Sequence, residues 1–291
     1  MKSFFTIVQF SRLTLTLAIF CLANLAAFGQ VRAKNEIKTK AFCSNNYLTN
    51  NYSGNDKVSY KETREVNLPA TGFVNVDGRV NGGISVKGED RPNVLVRACV
   101  QTVGTTDEEA RLVAKNTRIE TGSQIRAEGA ADESNSSVSY EILVPRRTNL
   151  KLLARNGGFV IASVEGTVEF ETTNGGVILS DVAGDVRGRT RNGGVIVNLS
   201  GNSWRGSGLD VATTNGGVVL SIPDNYRARV ETGTVNGGIR SDIDALSAAG
   251  DQNSGNRRKR VSADLNGGGA LIRVVTTNGG VKINSLTGEN L

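Results

Sequence analysis

The tripeptide Asn-Gly-Gly is the sequence feature that most constrains the fold of this chain. It begins at Asn81, Asn156, Asn174, Asn192, Asn215, Asn236, Asn266 and Asn278. The tripeptides at Asn156, Asn174 and Asn192 are 18 residues apart, and the later intervals range from 12 to 30 residues. A short motif that recurs at about one supersecondary unit of spacing is typical of repeat architectures. We therefore expect each tripeptide to form a structural turn between two strands.

Apolar residues occupy the first and third positions after most of these turns, as Val177 and Leu179 do after Asn174. This period of two predicts short strands with one buried face, so middle positions such as Ile178 should face outward. Threonine recurs two residues before the Asn, for example at Thr172, and a β-branched residue suits a strand that enters the turn.

Two all-β folds fit this pattern. In an antiparallel meander or sandwich, each Asn-Gly would close a tight hairpin. In a right-handed parallel β-solenoid, each 18-residue unit would be one coil, and equivalent corners would stack about 4.8 Å apart. Asn and Gly tolerate the left-handed backbone region that either turn can require. The solenoid explains better why one tripeptide recurs, because stacked corners share one backbone shape and stacked Asn amides can hydrogen-bond to one another.

The N-terminal residues have the pattern of a targeting segment. Lys2 and Arg12 flank the start of an apolar, uncharged run over residues 13–28, which predicts a signal peptide at 1–29. An uncleaved membrane anchor is the alternative, although the run is shorter than the ~20 residues that a spanning helix needs. Export predicts a periplasmic, cell-surface or extracellular protein with no transmembrane helix after cleavage.

The remaining chain divides into three parts by composition. Residues 30–60 are polar and aperiodic, which predicts a tether. Residues 61–150 form an N-terminal β region, and residues 151–288 form the Asn-Gly-Gly repeat array. Thr106 and Glu109 have the spacing of a capping box, with acidic residues in the first turn, which predicts one short helix over about 107–116.

Cysteine content and net charge suit an exported protein. Cys43 and Cys99 remain after removal of the leader, and an even pair in an oxidising compartment favours a disulfide; two unpaired thiols are the alternative. Removing Lys2 and Arg12 lowers the net charge from +6 by two, to +4. This mildly basic balance permits contact with an acidic glycan or a cell-envelope polymer, whereas export argues against nucleic acid.

Two groups of basic residues are candidates for contact with an anionic ligand. Arg155 and Arg191 each directly precede an Asn-Gly-Gly, so stacking would place them in one column beside Thr173 and Thr214. Arg257, Arg258, Lys259 and Arg260 form a basic cluster in the longest interval between repeats. For both groups, an ordinary solvated surface is the alternative interpretation.

Several kinds of catalytic chemistry are missing from the sequence. The chain has no histidine, which excludes Ser-His-Asp and Cys-His catalysis and His-based zinc sites. No phosphate-loop or dinucleotide fingerprint occurs. Carboxylates that could serve a glycosidase are spread through turns, at Asp181, Asp185, Asp210, Asp224 and Asp242. We therefore predict no catalytic residue, no metal site and no cofactor.

The motifs together resemble one family. Those that carry the resemblance are Asn81-Gly-Gly-Ile-Ser-Val-Lys-Gly, Val144-Pro145, the Thr-x-Asn-Gly-Gly-Val repeats, Ile222-Pro223-Asp-Asn-Tyr-Arg-Ala-Arg and Thr276-Thr-Asn-Gly-Gly-Val-Lys-Ile. Over about residues 62–286 the chain is similar to the bacterial putative-adhesin β-solenoid proteins, which are exported and of unknown function. The resemblance implies a right-handed β-helix-like fold and carries no catalytic residues.

Three functions are consistent with these observations. The first is a non-enzymatic adhesin or an envelope- or surface-binding protein, for which the arginine column is the supporting feature. The second is a periplasmic scaffold that self-associates through the ends of the solenoid. The third is a carbohydrate-active enzyme on a β-helix, which would require carboxylates clustered in a groove. We expect the first.

Overall fold

The alternation of apolar and polar residues produces a chain made almost entirely of short strands. The computed structural model describes residues 42–43, 57–129, 135–251 and 259–286. The chain divides into two compact units, residues 1–45 and 46–291. In the first unit, Phe42 and Cys43 form a turn. The second unit holds every strand and helix described below, and the predicted signal peptide lies outside the described residues.

The second unit contains twenty strands and two helices within the described ranges. The strands are β1 Val58–Pro69, β2 Phe73–Asp77, β3 Ile84–Glu89, β4 Asn93–Gly104, β5 Arg118–Thr121, β6 Ile125–Glu128, β7 Ser136–Pro145, β8 Asn149–Ala154, β9 Phe159–Ala162, β10 Glu165–Asn174, β11 Val177–Ser180, β12 Ala183–Asn192, β13 Val195–Asn198, β14 Gly208–Asn215, β15 Val218–Pro223, β16 Ala228–Thr234, β17 Ile239–Ser241, β18 Lys259–Leu265, β19 Leu271–Asn278 and β20 Val281–Leu286. The helices are α1 Asp107–Asn116 and α2 Asp244–Asp251.

The strands form two mixed sheets of ten, which confirms the all-β class. Sheet A has the order β1-β4-β7-β3-β9-β11-β13-β15-β20-β17. Sheet B has the order β18-β16-β19-β14-β12-β10-β8-β2-β6-β5. Buried residues of both sheets belong to one hydrophobic cluster. Within it, Phe159 of sheet A meets Phe170 of sheet B edge to face, with ring centroids 5.9 Å apart.

Successive repeats pair in parallel and in register. Val168 of β10 lies opposite Val186 of β12, which is 18 residues later, and Val177 of β11 lies opposite Val195 of β13. Each Asn-Gly-Gly in this region connects a strand of sheet B to a strand of sheet A, as it does between β10 and β11. A tight hairpin at these tripeptides is therefore wrong, because the strands on either side belong to different sheets.

The order of strands in space departs from the order in sequence at the C-terminal end of the array. Strands β19 and β20 lie between β14 and β16 in sheet B and between β15 and β17 in sheet A. The last repeat, at Asn278, is thus inserted between the repeats of Asn215 and Asn236. At the other end, β2 and β3 pair with β8 and β9, so the array continues across the predicted boundary at residue 150.

Each end of the array carries additional elements. At one end, α1 packs on β4 and β1, and β5 and β6 pair as an antiparallel extension of sheet B. Thr106 caps α1 by accepting a hydrogen bond from the Glu109 backbone N–H. At the other end, α2 packs on β17 and β18. The sequence predicts one short helix, so α2 is an addition that its small and polar residues did not indicate.

Strand β1 begins inside the segment predicted to be a tether. Residues 58–60 belong to β1, which pairs antiparallel with β4 along its whole length, from Val58 opposite Gly104 to Pro69 opposite Asn93. Backbone pairing along twelve residues explains why a polar composition does not prevent a strand here. Among the described residues, neither helix is long and apolar enough to cross a membrane.

Candidate binding site at the stacked corners

The stacked corners form a continuous ladder of asparagine amides. The Nδ2 of Asn174 donates to the Oδ1 of Asn156 at 2.7 Å, and Asn192 donates in turn to Asn174 at 2.7 Å. The ladder continues in both directions, and its spatial order is Asn81, Asn156, Asn174, Asn192, Asn215, Asn278 and Asn236. Each amide oxygen within the ladder accepts a hydrogen bond from the next amide, so the row of corners presents equivalent groups at the ~4.8 Å spacing of adjacent strands.

Asn266 is the one Asn-Gly-Gly asparagine outside this ladder, contrary to the prediction that all eight form equivalent corners. It follows β18 and has a positive φ of 48°. Its Nδ2 donates to the backbone oxygens of Asp224, at 3.0 Å, and of Tyr226, at 2.9 Å. Three glycines with positive φ follow it, so this turn reverses the chain in a different way from the stacked corners.

The first glycine of each stacked corner is required by close approach, not by a left-handed backbone. No ladder asparagine, and neither glycine that follows it, has a positive φ. A Cβ at Gly175 would lie 2.2 Å from the backbone oxygen of Gly157, and one at Gly193 would lie 2.1 Å from that of Gly175. The expected left-handed turn is therefore wrong at these positions, where the backbones of adjacent corners leave no room for a side chain.

The recurrent threonine has a polar role that β-propensity did not predict. Thr190 is 2% exposed, and its Oγ1 donates to the backbone oxygen of Gly175 at 2.7 Å. Thr172 makes the same contact with Gly157 at 2.8 Å. The equivalent threonines at 213, 234 and 276 repeat the bond. The hydroxyl thus gives one partly buried glycine carbonyl at each of these corners a hydrogen-bond partner, and a carbonyl shielded from water without a partner is costly.

The predicted arginine column lies beside the asparagine ladder. Arg155 follows β8 and Arg191 is near the end of β12, and both are exposed. Thr173 of β10 lies between them, so the two arginines are two strands, or about 10 Å, apart. Neither arginine makes an ion pair with any residue in the described part of the chain. Arg189, one outward-facing position earlier on β12, is also exposed.

The second predicted basic group is remote from this column. Arg257 and Arg258 lie outside the described residues. Lys259 and Arg260 are exposed at the start of β18, at the edge of sheet B. Four strand spacings, or about 19 Å, separate β18 from the strand of Arg191. The structure therefore does not bring the described part of the 257–260 cluster together with Arg155 and Arg191.

The outer face of sheet B carries a row of alternating charge that sequence inspection missed. Across adjacent strands the row is Lys151, Glu169, Arg187, Asp210, Arg273 and Glu231, each beside the next in the strand register. Arg273 Nη1 lies 2.6 Å from Asp210 Oδ1. A shallow groove of about 450 Å³ runs over part of this row. Comparing equivalent positions of the repeats could have found the alternation, except at Arg273, whose strand is out of sequence order.

Four of the five aspartates that could have served a glycosidase interact with hydroxyls or arginines: Asp181 and Asp224 with serine hydroxyls, Asp185 with Arg187 and Asp210 with Arg273. Asp181 accepts hydrogen bonds from the hydroxyls of Ser163 and Ser200, at 3.0 and 2.5 Å. Asp185 pairs with Arg187 at 3.0 Å. Within the described ranges, no group of three or more Cys, Asp or Glu residues is placed to hold a metal ion.

The two cysteines lie in different units. Cys99 is buried in β4 and is disulfide-bonded, and Cys43 is disulfide-bonded as well. That they pair with each other stays a prediction. Titration of thiols in the denatured protein, with and without reductant, tests it, because two free thiols before reduction would contradict the bridge.

The fold and its surface thus define an all-β protein that presents side chains in registered rows. No family model and no curated protein matches the chain. Among solved structures, it is similar to a putative cell adhesion protein from Clostridium sporogenes, at 11% identity and a TM-score of 0.41, over 78% of this chain and 100% of that one. It is also similar to a putative adhesin from Bacteroides fragilis, at 8% identity and a TM-score of 0.36, over 78% and 97% of the two chains.

A third similar structure is a putative lipid binding protein from Parabacteroides distasonis, at 8% identity and a TM-score of 0.31, over 78% of this chain and 96% of that chain. The function proposed below is based on the geometry of this chain.

Proposed function

We propose that this chain is an exported, non-enzymatic protein that binds an acidic glycan or another anionic cell-envelope polymer along its stacked corners. We further propose that the repeats wind as coils of a right-handed β-solenoid. The parallel, in-register pairing of successive repeats supports the solenoid. A solenoid suits this function because it holds equivalent side chains at a fixed spacing on a rigid surface.

The observation that carries the proposal is the pair of exposed arginines at equivalent corner positions. Arg155 and Arg191 have no ion pair among the described residues, so their guanidinium groups are available to an external anion. A polymer with repeated carboxylate, sulfate or phosphate groups could contact both arginines at once. Once one anionic group is bound by the first guanidinium, the next group of the same polymer is held near the second, so the second contact costs little additional entropy. Thr173, Thr214 and the outward edges of the asparagine amides add hydrogen-bonding groups along the same line.

The hydrogen bonds and ion pairs of the aspartate side chains support the proposal that the protein is not an enzyme. Asp181 accepts a hydrogen bond from a serine hydroxyl, and Asp185 and Asp210 pair with neighbouring arginines, which are ordinary structural roles of such residues. A glycosidase would instead need two carboxyl groups facing each other across a sugar-binding cleft.

The experiment is a binding titration of the purified protein with polygalacturonate and alginate as acidic polysaccharides and with dextran as the neutral comparison. The wild type should bind the acidic polymers at low ionic strength and lose affinity as salt is added. The variant Arg155→Ala/Arg191→Ala should lose most of this binding. Failure of every acidic polymer to bind at low ionic strength would overturn the proposal.

The matched control is Arg229→Ala/Arg273→Ala. These two arginines also face outward on sheet B, and their removal changes the net charge by the same amount. Both are already ion-paired, Arg229 with Glu231 at 3.4 Å and Arg273 with Asp210 at 2.6 Å. The control variant should therefore keep most of the binding, whereas equal losses in the two variants would show a nonspecific effect of net charge.

The basic cluster at 257–260 is tested separately. The variant Lys259→Ala/Arg260→Ala removes two positive charges, as Arg155→Ala/Arg191→Ala does, and should retain most of the binding if the corner column is the site, because the strand of these residues lies about 19 Å from the strand of Arg191. Binding lost only in Lys259→Ala/Arg260→Ala would place the site at the sheet edge and contradict the proposal.

A further inference from the structure

The outer face of sheet A carries one registered row of side chains that crosses all ten strands. In spatial order the row is Glu65, Arg97, Glu141, Ser85, Val160, Ile178, Ile196, Val219, Lys282 and Arg240. The row is acidic and ion-paired at one end, aliphatic over four central strands and basic at the other end. We call it the sheet A row.

The centre of the row is an apolar stripe open to solvent. Ile178 and Ile196 are each 37% exposed, although their strands lie in the middle of the sheet. Val160 and Val219 flank them on the neighbouring strands and are half-buried. Four adjacent aliphatic side chains on an outer face are unusual, because the exposed face of a sheet ordinarily alternates to polar residues.

The two ends of the row have opposite charge. Glu65 and Glu141 flank Arg97, whose guanidinium lies 3.3 Å from one carboxylate and 2.9 Å from the other, which leaves one negative charge in excess. Lys282 and Arg240 are adjacent in register at the other end, are exposed, and make no ion pair within the described ranges.

The order of these residues is self-complementary about the middle of the stripe. A twofold axis parallel to the strands, between β11 and β13, would place Ile178 against Ile196 of a second copy and Val160 against its Val219. The same operation places Glu141 against Arg240 of the second copy and Ser85 against its Lys282. A twofold contact uses the same patch on both copies, and this row meets that requirement at every one of these positions.

We propose that sheet A is a homodimer interface, in which the sheet A rows of two copies pack face to face in opposite order. This inference does not rest on the proposed glycan site, which lies at the corners beside sheet B. The strands from β7 to β17, each about four residues long at this row, give a face of about 34 by 13 Å. About 900 Å² would be buried in total, which is below the ~1,200 Å² at which stable specific interfaces begin and predicts a weak, concentration-dependent dimer.

Charge favours a second copy over an anionic lipid surface as the occupant. A membrane would attract Lys282 and Arg240 but would repel the acidic end of the same row, because all ten strands lie on one sheet. A second copy satisfies both ends at once. This difference gives the experiment a clear alternative outcome.

The test is sedimentation velocity of the purified protein over a wide range of concentrations. The wild type should shift from monomer to dimer as concentration rises. The variant Ile178→Lys/Ile196→Lys should lower the association constant by at least about a hundredfold, because it opposes like charges at the centre of the interface. A wild type that stays monomeric at every concentration would overturn the proposal, as would a dimer that this variant does not weaken.

The control is Leu271→Lys. Leu271 is also 37% exposed, but it lies on the outer face of sheet B, so this change should leave the dimer intact. A loss of dimer equal to that of the double variant would mean that any exposed lysine disrupts association, and it would contradict the assignment to sheet A.

A charge exchange tests the register of the two copies. Arg240→Glu should weaken the dimer at least about tenfold, because the introduced carboxylate would face Glu141 of the second copy. Adding Glu141→Arg should recover most of the lost affinity. Failure to recover, in a variant whose thermal unfolding matches that of the wild type, would contradict the proposed pairing. Binding of anionic vesicles by a monomeric wild type, abolished by Lys282→Glu/Arg240→Glu, would replace the dimer with a lipid-surface contact.

Discussion

The Nδ2 of Asn192 donates a hydrogen bond to the Oδ1 of Asn174 at 2.7 Å, and the same bond links seven asparagines into one ladder. Replacing Asn192 with Ala removes two of these bonds, one on each side. Because each bond contributes about 0.5–1.5 kcal/mol, we expect the free energy of unfolding to fall by about 1–3 kcal/mol. Thr214→Ala, at an exposed position directly before the next corner of the ladder, should change it by less than about 0.5 kcal/mol. Urea denaturation measures both, and equal effects would contradict a stabilising ladder.

The two glycines of one corner should respond differently to a methyl group. A Cβ at Gly175 would lie 2.2 Å from a backbone oxygen, whereas one at Gly176 would lie 3.4 Å from its nearest neighbour. Gly175→Ala should therefore destabilise the protein by about 1–3 kcal/mol or more, since backbone must move. Gly176→Ala should change the stability by less than about 1 kcal/mol. Thermal and urea unfolding of both variants check this, and a tolerated Gly175→Ala would contradict the spacing of the corners.

The buried threonine hydroxyls should matter more than exposed ones. Thr190→Val keeps the shape of the side chain but leaves the Gly175 backbone oxygen without the hydroxyl that donates to it. We expect a loss of about 1–2 kcal/mol in the free energy of unfolding. The exposed Thr214, changed to Val, should alter stability by less than about 0.5 kcal/mol. If the two substitutions were equivalent, the recurrent threonine would be explained by β-propensity alone.

Two buried tyrosines predict a loss of stability at alkaline pH. Burial raises the pKa of Tyr226 to about 12 and raises the pKa of Tyr140 further above its usual range. Below about pH 10 both tyrosines are protonated in the folded and unfolded chains, so they have no effect. As pH rises from about 10 to 12, the unfolded chain ionises first, and the free energy of unfolding falls.

Tyr140→Phe/Tyr226→Phe tests this relationship. Between about pH 8 and about pH 11.5, a range that spans the ordinary pKa of tyrosine, the free energy of unfolding should fall less in the variant than in the wild type. At neutral pH, Tyr140→Phe alone should be neutral or stabilising, because its hydroxyl is buried and has no hydrogen-bond partner among the described residues. An alkaline loss that is the same in both proteins would assign it to other groups.

Local repetition made part of this fold predictable from sequence. The 18-residue spacing of Asn156, Asn174 and Asn192, with period-two apolar residues after each, indicated all-β structure and outward middle positions, and the structure has both. The insertion of the Asn278 repeat beside Asn215 was not predictable, because strand order in space depends on long-range pairing that spacing does not record. Asn266 was misjudged for a related reason: one tripeptide forms two kinds of turn, and tertiary contacts select between them.

The candidate surfaces were predictable only in part. The positions of Arg155 and Arg191 before the tripeptide were enough to place them in one column. The sheet A row was not evident, because it joins residues from ten strands whose order differs from the sequence. Its aliphatic centre was visible in the repeats as Val160, Ile178, Ile196 and Val219, but its charged ends became neighbours of that centre only through the observed strand order.

The measurement that tests the proposed function most directly is the salt dependence of polygalacturonate binding. The slope of the logarithm of the association constant against the logarithm of salt concentration reports how many charge contacts the protein makes. In Arg155→Ala/Arg191→Ala the slope should become shallower by about 1–2, since each lost contact contributes somewhat less than one. In the Arg229→Ala/Arg273→Ala control it should be unchanged. A slope that is the same in the wild type and in Arg155→Ala/Arg191→Ala would contradict binding at the stacked corners.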